Sequence, residues 1–152
     1  LILAKALKAV AADYDFIVID CPPSPSLVTV NALAASQHVL VPVMPSYLAL
    51  EGVVDVLEFI ETVRDGIGDC AALLGLVLTQ VDFRKGATQE FIDGTRRVYG
   101  RDVFKTFVPI SAALEVSPSF HRTIFQHAPS SRAAEAFTNL AREAQQRMRR
   151  TP

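Results

Sequence analysis

Between Asp13 and Pro23 the chain reads DYDFIVIDCPP, and this stretch limits the fold more than any other. Phe16, Ile17, Val18 and Ile19 form a continuous aromatic and β-branched run without polar alternation. Such a run predicts a strand over residues 16–20, buried on both faces as in the middle of a parallel sheet. It ends on a carboxylate, Asp20. Pro22 and Pro23 then take the chain out of any ladder, because proline brings no N–H. An acid at the carboxyl end of a central strand lies on the edge where open α/β sheets hold their ligands.

The remaining pattern alternates helix and strand. Residues 1–12 are rich in helix formers, with Leu3, Leu7 and Val10 on one face. Residues 24–36 read as a helix capped by Ser24, with Pro25 at its first position. Residues 38–43 (HVLVPV) predict a strand that ends near Pro42. Residues 48–66 predict a long amphipathic helix, with Leu50, Val53, Val54, Leu57, Phe59 and Ile60 inward and Gly66 or Gly68 closing it. Residues 73–79 predict a third strand, followed by a polar loop from Gln80 to Gly86. A helix over 87–99 and a short strand over 103–108, stopped by Pro109, come next. Residues 110–131 read as irregular, broken by Pro118 and Pro129. A last helix over 132–149 carries Ala134, Phe137, Leu140, Ala141 and Ala144 as its apolar stripe. This order predicts a single α/β domain over 1–152, with a parallel sheet flanked by helices and right-handed crossovers.

Composition narrows the function. The chain has 152 residues, of which 50% are hydrophobic, enough for a real core. A net charge of −1 gives no global attraction to nucleic acid or membrane, so such binding requires a local patch. Cys21 and Cys70 make neither a metal spacing nor a disulfide framework, which fits a reducing cytosol. His38, His121 and His127 lack partners at zinc spacing, and the serines lack a nucleophile-elbow setting. Tyr47, Leu50, Val53, Val54 and Leu57 read as core or partner-facing packing. The basic end of the last helix, Arg147, Arg149 and Arg150, is accompanied only by Met148 as a large apolar residue. A membrane-anchoring helix needs more.

These motifs, in this order, resemble the ParA/MinD-type (Soj-like) partition ATPases. YDFIVIDCPPS (Tyr14–Ser24) is similar to that family's Walker B strand and switch segment. NALAAS followed by VLVPVMPSYLALEGV (Val39–Val53) is similar to its next strand and helix entry. LGLVLTQVD (Leu74–Asp82) is similar to the following strand and its nucleotide-side loop, and Val108–Pro109 with Ser117–Ser119 to the loops near the adenine. The resemblance covers nearly the whole chain from Tyr14 on. It implies a P-loop NTPase fold of the deviant-Walker, SIMIBI type. The family begins with a strand and a glycine-rich, lysine-bearing phosphate loop. This sequence shows neither: it has seven glycines, no two adjacent. It begins at Leu1, inside a helical pattern. The expectation is therefore the C-terminal part of such a domain, which by itself does not hydrolyse ATP at a useful rate.

The resemblance also implies roles. Asp20 corresponds to the Walker B aspartate, which holds Mg²⁺, usually through water; the residues alone equally allow a capping Asp in a βα turn. Pro22, Pro23 and Ser24 correspond to the switch that senses the γ-phosphate, and a stiff turn would look the same. Thr79, Gln80 and Asp82 fall where the base and ribose run, although polar residues are expected in any such loop. Pro109 corresponds to the proline that packs on adenine, or simply ends a strand.

The implied cofactors are ATP and Mg²⁺. The implied partners are a second copy in an ATP-dependent homodimer, DNA bound non-specifically, and a ParB-like stimulating protein, with no membrane. The implied location is cytoplasmic and nucleoid-associated. Candidate DNA contacts are Arg84, Lys85, Arg96 and Arg97, with Arg101 beyond them; a solvated basic face is the bland reading of the same residues. The loop after Pro109, ISAALEVS, carries no arginine where the family often has them. Two other functions fit the pattern: a related ATPase that positions another cargo, such as a protein cluster or flagellum, and a non-catalytic adaptor that keeps the fold.

Overall fold

A computed structural model describes residues 1–22 and 24–149. Two strands, β1 (His38–Val43) and β2 (Ala72–Leu78), form a two-stranded sheet. The Ala72 amide donates to the Gln37 carbonyl and the Thr79 amide to that of Val43, both at 2.9 Å. The partners ascend together, so the pairing is parallel, as the sequence predicts. Pro42 lies near the end of β1, one residue before its last. It is exposed, while Val41 and Val43 on either side are buried. An exposed position is where a strand tolerates the missing N–H.

The chain divides into two compact units. The first comprises Leu1–Val39 and Val54–Leu73. It contains α1 (Ile2–Leu7), α2 (Leu27–Ala35) and most of α3 (Tyr47–Ile67). Leu33, Ile60, Val63 and Ala71 form its core, with Leu57, Phe59 and Val39 packed against them. Val54, expected inward, is exposed, because it lies about 100° round the helix from the buried Val53. Gly68 ends α3 at φ +79°, its amide donating to the Arg64 carbonyl at 2.8 Å. Glycine reaches that conformation without steric cost. The N-cap of α2 is Ser26, not Ser24: the Ser26 hydroxyl accepts from the Thr29 amide, while the Ser24 carbonyl accepts from the Thr29 hydroxyl at 2.8 Å.

The expected strand over 16–20 does not form. Residues 16–20 join no strand among the described residues, and Phe16, Ile17 and Val18 are exposed, Val18 at 91%. The run keeps its β propensity, but β1 and β2 pair with each other and the described residues offer it no ladder. Leu7, Val10, Tyr14, Phe16 and Ile17 line a shallow apolar groove instead. The leading helix is also shorter than 1–12: α1 stops at Leu7, and a single 3₁₀ turn covers Ala11–Asp13.

The second unit comprises Leu40–Val53 and the chain from Leu74 on. It contains α4 (Gly86–Tyr99), α5 (Ala112–Val116), α6 (Ile124–His127) and α7 (Arg132–Met148). Leu74, Val77 and Phe104 form one core cluster with Leu40, Leu140 and Ala144. Ile124, Ala133 and Ala134 form another. The expected strand over 103–108 is reduced to two parallel bridges, Leu76 with Val103 and Val81 with Pro109. Phe104 and Val108 donate to Leu76 and Leu78, each at 2.8 Å. In between, the amides of Lys105 and Thr106 turn away to the carboxylate of Glu143 on α7, also at 2.8 Å. A side chain replaces the ladder there, so the segment bulges. Residues 110–131 are not irregular. Ser111 caps α5, and Thr123 with Gln126 forms a reciprocal capping box on α6.

Candidate functional site

β2 delivers its carboxyl end to a short, tightly held loop. Thr79 is still bonded to Val43. Gln80 then turns the chain at φ +53°. Val81, 2% exposed, donates to the Val108 carbonyl and accepts from the Ile110 amide, both at 3.1 Å. This pairing sets Thr79, Gln80 and Asp82 beside Val108 and Pro109 on one edge. Four of the positions expected near a base are thereby brought together. Phe83 and Phe107 add an edge-on aromatic pair, with centroids 5.0 Å apart, which the sequence reading did not single out.

Asp82 is the most constrained residue of the loop. Its carbonyl accepts from the Thr88 hydroxyl at 2.8 Å and the Lys85 amide at 3.2 Å. Its carboxylate accepts three bonds from Arg84: the main-chain amide at 3.1 Å, Nε at 2.8 Å and Nη2 at 2.9 Å. The Asp82 side chain is 11% exposed and that of Arg84 84%. The side-chain hydrogen bonds from Arg84, and then its amide, hold the Asp82 carboxyl down to about 2. The two residues were expected to serve different ligands, one a nucleotide and the other DNA. Here they form one ion pair.

The four candidate DNA contacts do not form a single cluster. Arg84 and Lys85 precede α4, while Arg96 and Arg97 occupy its last turn. Lys85 lies eleven positions before Arg96, about 16 Å along the axis. Arg96 and Arg97 suit the negative end of the helix, and the Arg96 guanidinium reaches the Lys105 carbonyl at 3.4 Å. Lys85, at the positive end, has no such helical rationale. All four are exposed.

In the first unit, Asp20 and Pro22 are exposed on the irregular segment after Ile19. Pro23 lies outside the described residues. No group of three or more potential metal ligands occurs among the described residues. Mg²⁺, however, binds one or two carboxylates and fills its shell with water and phosphate oxygens. A lone exposed carboxylate such as Asp20 fits that habit as a single donor. A phosphate cradle built from successive glycine amides has no counterpart in the sequence.

Sequence inspection missed Glu143 and read Arg147 only as part of the basic end of the last helix. The Arg147 guanidinium donates to the carbonyls of Leu74, Arg101, Asp102 and Val103 and to Glu143. Burial pushes the Glu143 carboxyl up, but the Lys105 and Thr106 amides, with Thr106 and Arg147 side chains, outweigh it and leave the group below its ordinary value. The i,i+4 spacing is visible in the sequence, but it reads as a surface pair.

Comparison with known proteins places this geometry. Residues 1–70 match the family model described as an AAA domain. The chain is 43% identical over 135 residues to the chromosome-partitioning ATPase Soj of Thermus thermophilus, covering 89% of this chain and 54% of that protein. It is 38% identical over 141 residues to the sporulation initiation inhibitor protein Soj of Bacillus subtilis, covering 93% of this chain and 56% of that one. Among solved structures it resembles cobyrinic acid a,c-diamide synthase from Mycobacterium smegmatis with bound ADP and magnesium. That likeness has a TM-score of 0.65 at 31% identity, over 72% of this chain and 44% of the other. The chain thus spans about half the length of the curated relatives it matches. No described helix is long and apolar enough to cross a membrane. Over about nine-tenths of its sequence the chain is thus similar to ParA/Soj-type chromosome-partitioning ATPases, and its parallel sheet with flanking helices resembles that of a nucleotide- and magnesium-bound neighbour.

Proposed function

We propose that this chain supplies the base-side and DNA-facing part of an ATP-dependent partition switch. In this reading, ATP with Mg²⁺ brings two copies together and the dimer binds DNA without sequence preference. A ParB-like partner then stimulates hydrolysis and release, in chromosome or plasmid segregation at the nucleoid. The observation that carries the nucleotide assignment is the pairing of Val81 with Pro109. It places a proline ring and the turn at Gln80 side by side, an apolar plate for a base beside main-chain polar groups that read its edge. The buried Val81 fixes both segments. Asp20 provides one oxygen for the cation. Nucleotide, when bound, supplies the phosphate whose loss resets the switch. Arg84 and Lys85, exposed at the start of α4, face solvent as phosphate contacts.

Titration calorimetry with ATP and ADP in Mg²⁺ tests this, on the 152-residue chain and on the uninterrupted reading frame that contains it. Binding and slow turnover by the latter support the switch. No binding by either supports the non-catalytic adaptor. ATP-driven dimerisation without ATP-dependent DNA affinity supports an ATPase with another cargo.

A further inference from the structure

We propose that the Asp82–Arg84 ion pair is an autoinhibitory contact that masks Arg84 from DNA phosphate. The inference rests on the DNA reading above and adds its regulation. Asp82 cannot drift with its partner, because Thr88 and Lys85 hold its carbonyl and the neighbouring Val81 is buried and bonded on both sides. Arg84, by contrast, is a long exposed side chain that folds back onto the acid only two residues away. Two of its guanidinium nitrogens, Nε and Nη2, point at the two carboxylate oxygens. Those nitrogens form the edge that would grip a phosphate in the same forked manner. While the pair is closed, that edge is occupied. An approaching phosphate also meets the carboxylate charge, which cancels most of the arginine's field. Exposed pairs are weak, so a dense phosphate array can open this one. The lock sets a threshold rather than a block. Lys85 meets this loop through its main-chain amide, which donates to the Asp82 carbonyl.

The test is fluorescence anisotropy with a labelled random-sequence 30-base-pair duplex across a salt series. In the presence of ATP and Mg²⁺, it compares the uninterrupted reading frame that contains this chain with its Asp82→Asn, Arg84→Ala and double variants. Asparagine keeps an oxygen for the Arg84 amide but loses the charge. Asp82→Asn is expected to tighten binding roughly 3- to 10-fold at low salt and to steepen the salt slope by about 0.9, one additional phosphate neutralised. The double variant is expected to match Arg84→Ala. A gain that persists in the double variant would come from net charge alone and overturns the lock. Unchanged affinity for Asp82→Asn, with weaker binding by Arg84→Ala, overturns the lock and spares the DNA reading. No binding by any form overturns both. One measurement needs no substitution: the Arg84 Nε–H resonance is expected to move when the duplex is added, and a static resonance at saturation overturns the proposal.

Discussion

The Arg147 guanidinium lies over the ring of Phe104, 4.0 Å from its centroid. The same group donates to four main-chain carbonyls from two segments, Leu74 and Arg101–Val103. One side chain therefore ties α7 to β2 and to the segment that leads into Val103–Pro109. Arg147→Ala removes the cation–π contact and strips partners from several carbonyls at once. We expect a loss of about 2 kcal/mol or more in urea unfolding, with Arg147→Lys recovering less than half, because an ammonium lacks the planar fork. A loss near zero would mean that water replaces the guanidinium without cost.

Gly75 sits directly beneath this arginine at φ +147°. A Cβ there would collide with the Asp102 carbonyl oxygen and lie 2.9 Å from both Arg147 Nη1 and the Phe104 ring. Gly75→Ala is expected to destabilise by about 3 kcal/mol or to prevent folding, through strain and backbone overlap together. A variant that melts within a degree or two of the parent would show that the strand shifts freely.

The depressed Asp82 carboxyl gives a pH signature. Its folded value, about 2, lies below that of an ordinary aspartate. The pair's contribution is thus fully present above the ordinary value near 4 and disappears as pH falls through about 2. Carboxyl-carbon NMR should find Asp82 still ionised at pH 3 and rising toward the ordinary range in Arg84→Ala. A titration near 4 in the unaltered chain would mean that the pair is open in solution.

Capping separates the two serines at the start of α2. Ser26→Ala is expected to cost about 1 kcal/mol, since it removes the acceptor of the Thr29 amide, whereas Ser24→Ala should be close to neutral. Equal losses would move the helix start back to where the sequence alone puts it.

Asp20→Ala, in the uninterrupted reading frame, is expected to weaken Mg²⁺-dependent dimerisation at least tenfold. Sedimentation with ATP and a Mg²⁺ series reads this directly. An unaltered dependence would return Asp20 to the role of a turn residue.

The elements legible from sequence are those whose signal is local. His38–Val43 forms as read because its valines alternate around an exposed proline. Tyr47–Ile67 and Arg132–Met148 follow from helical periodicity and clear ends. The short helices within 110–131 were missed although Thr123 and Gln126 spell a capping box, because Pro118 and Pro129 dominate the composition there. The segment 103–108 was misread for another reason. Glu143, 37 and 38 residues away, takes the amides that a ladder would have used. Thr79, Gln80, Asp82 and Pro109 were legible as loop residues one by one, but their meeting on one edge was not. That Asp82 and Arg84 share one contact depends on how the chain turns between them, which neither residue type announces.

The run Phe16–Ile19, exposed over Phe16–Val18, bears on handling as well as on fold. Exposed β-prone segments of this kind are templates for intermolecular pairing, although this uncharged stretch is only four residues long. Its flanks restrain it: Asp15 and Asp20 place a negative charge at each end, and Pro22 blocks extension beyond. Self-association of this chain should rise with concentration, beginning at this segment.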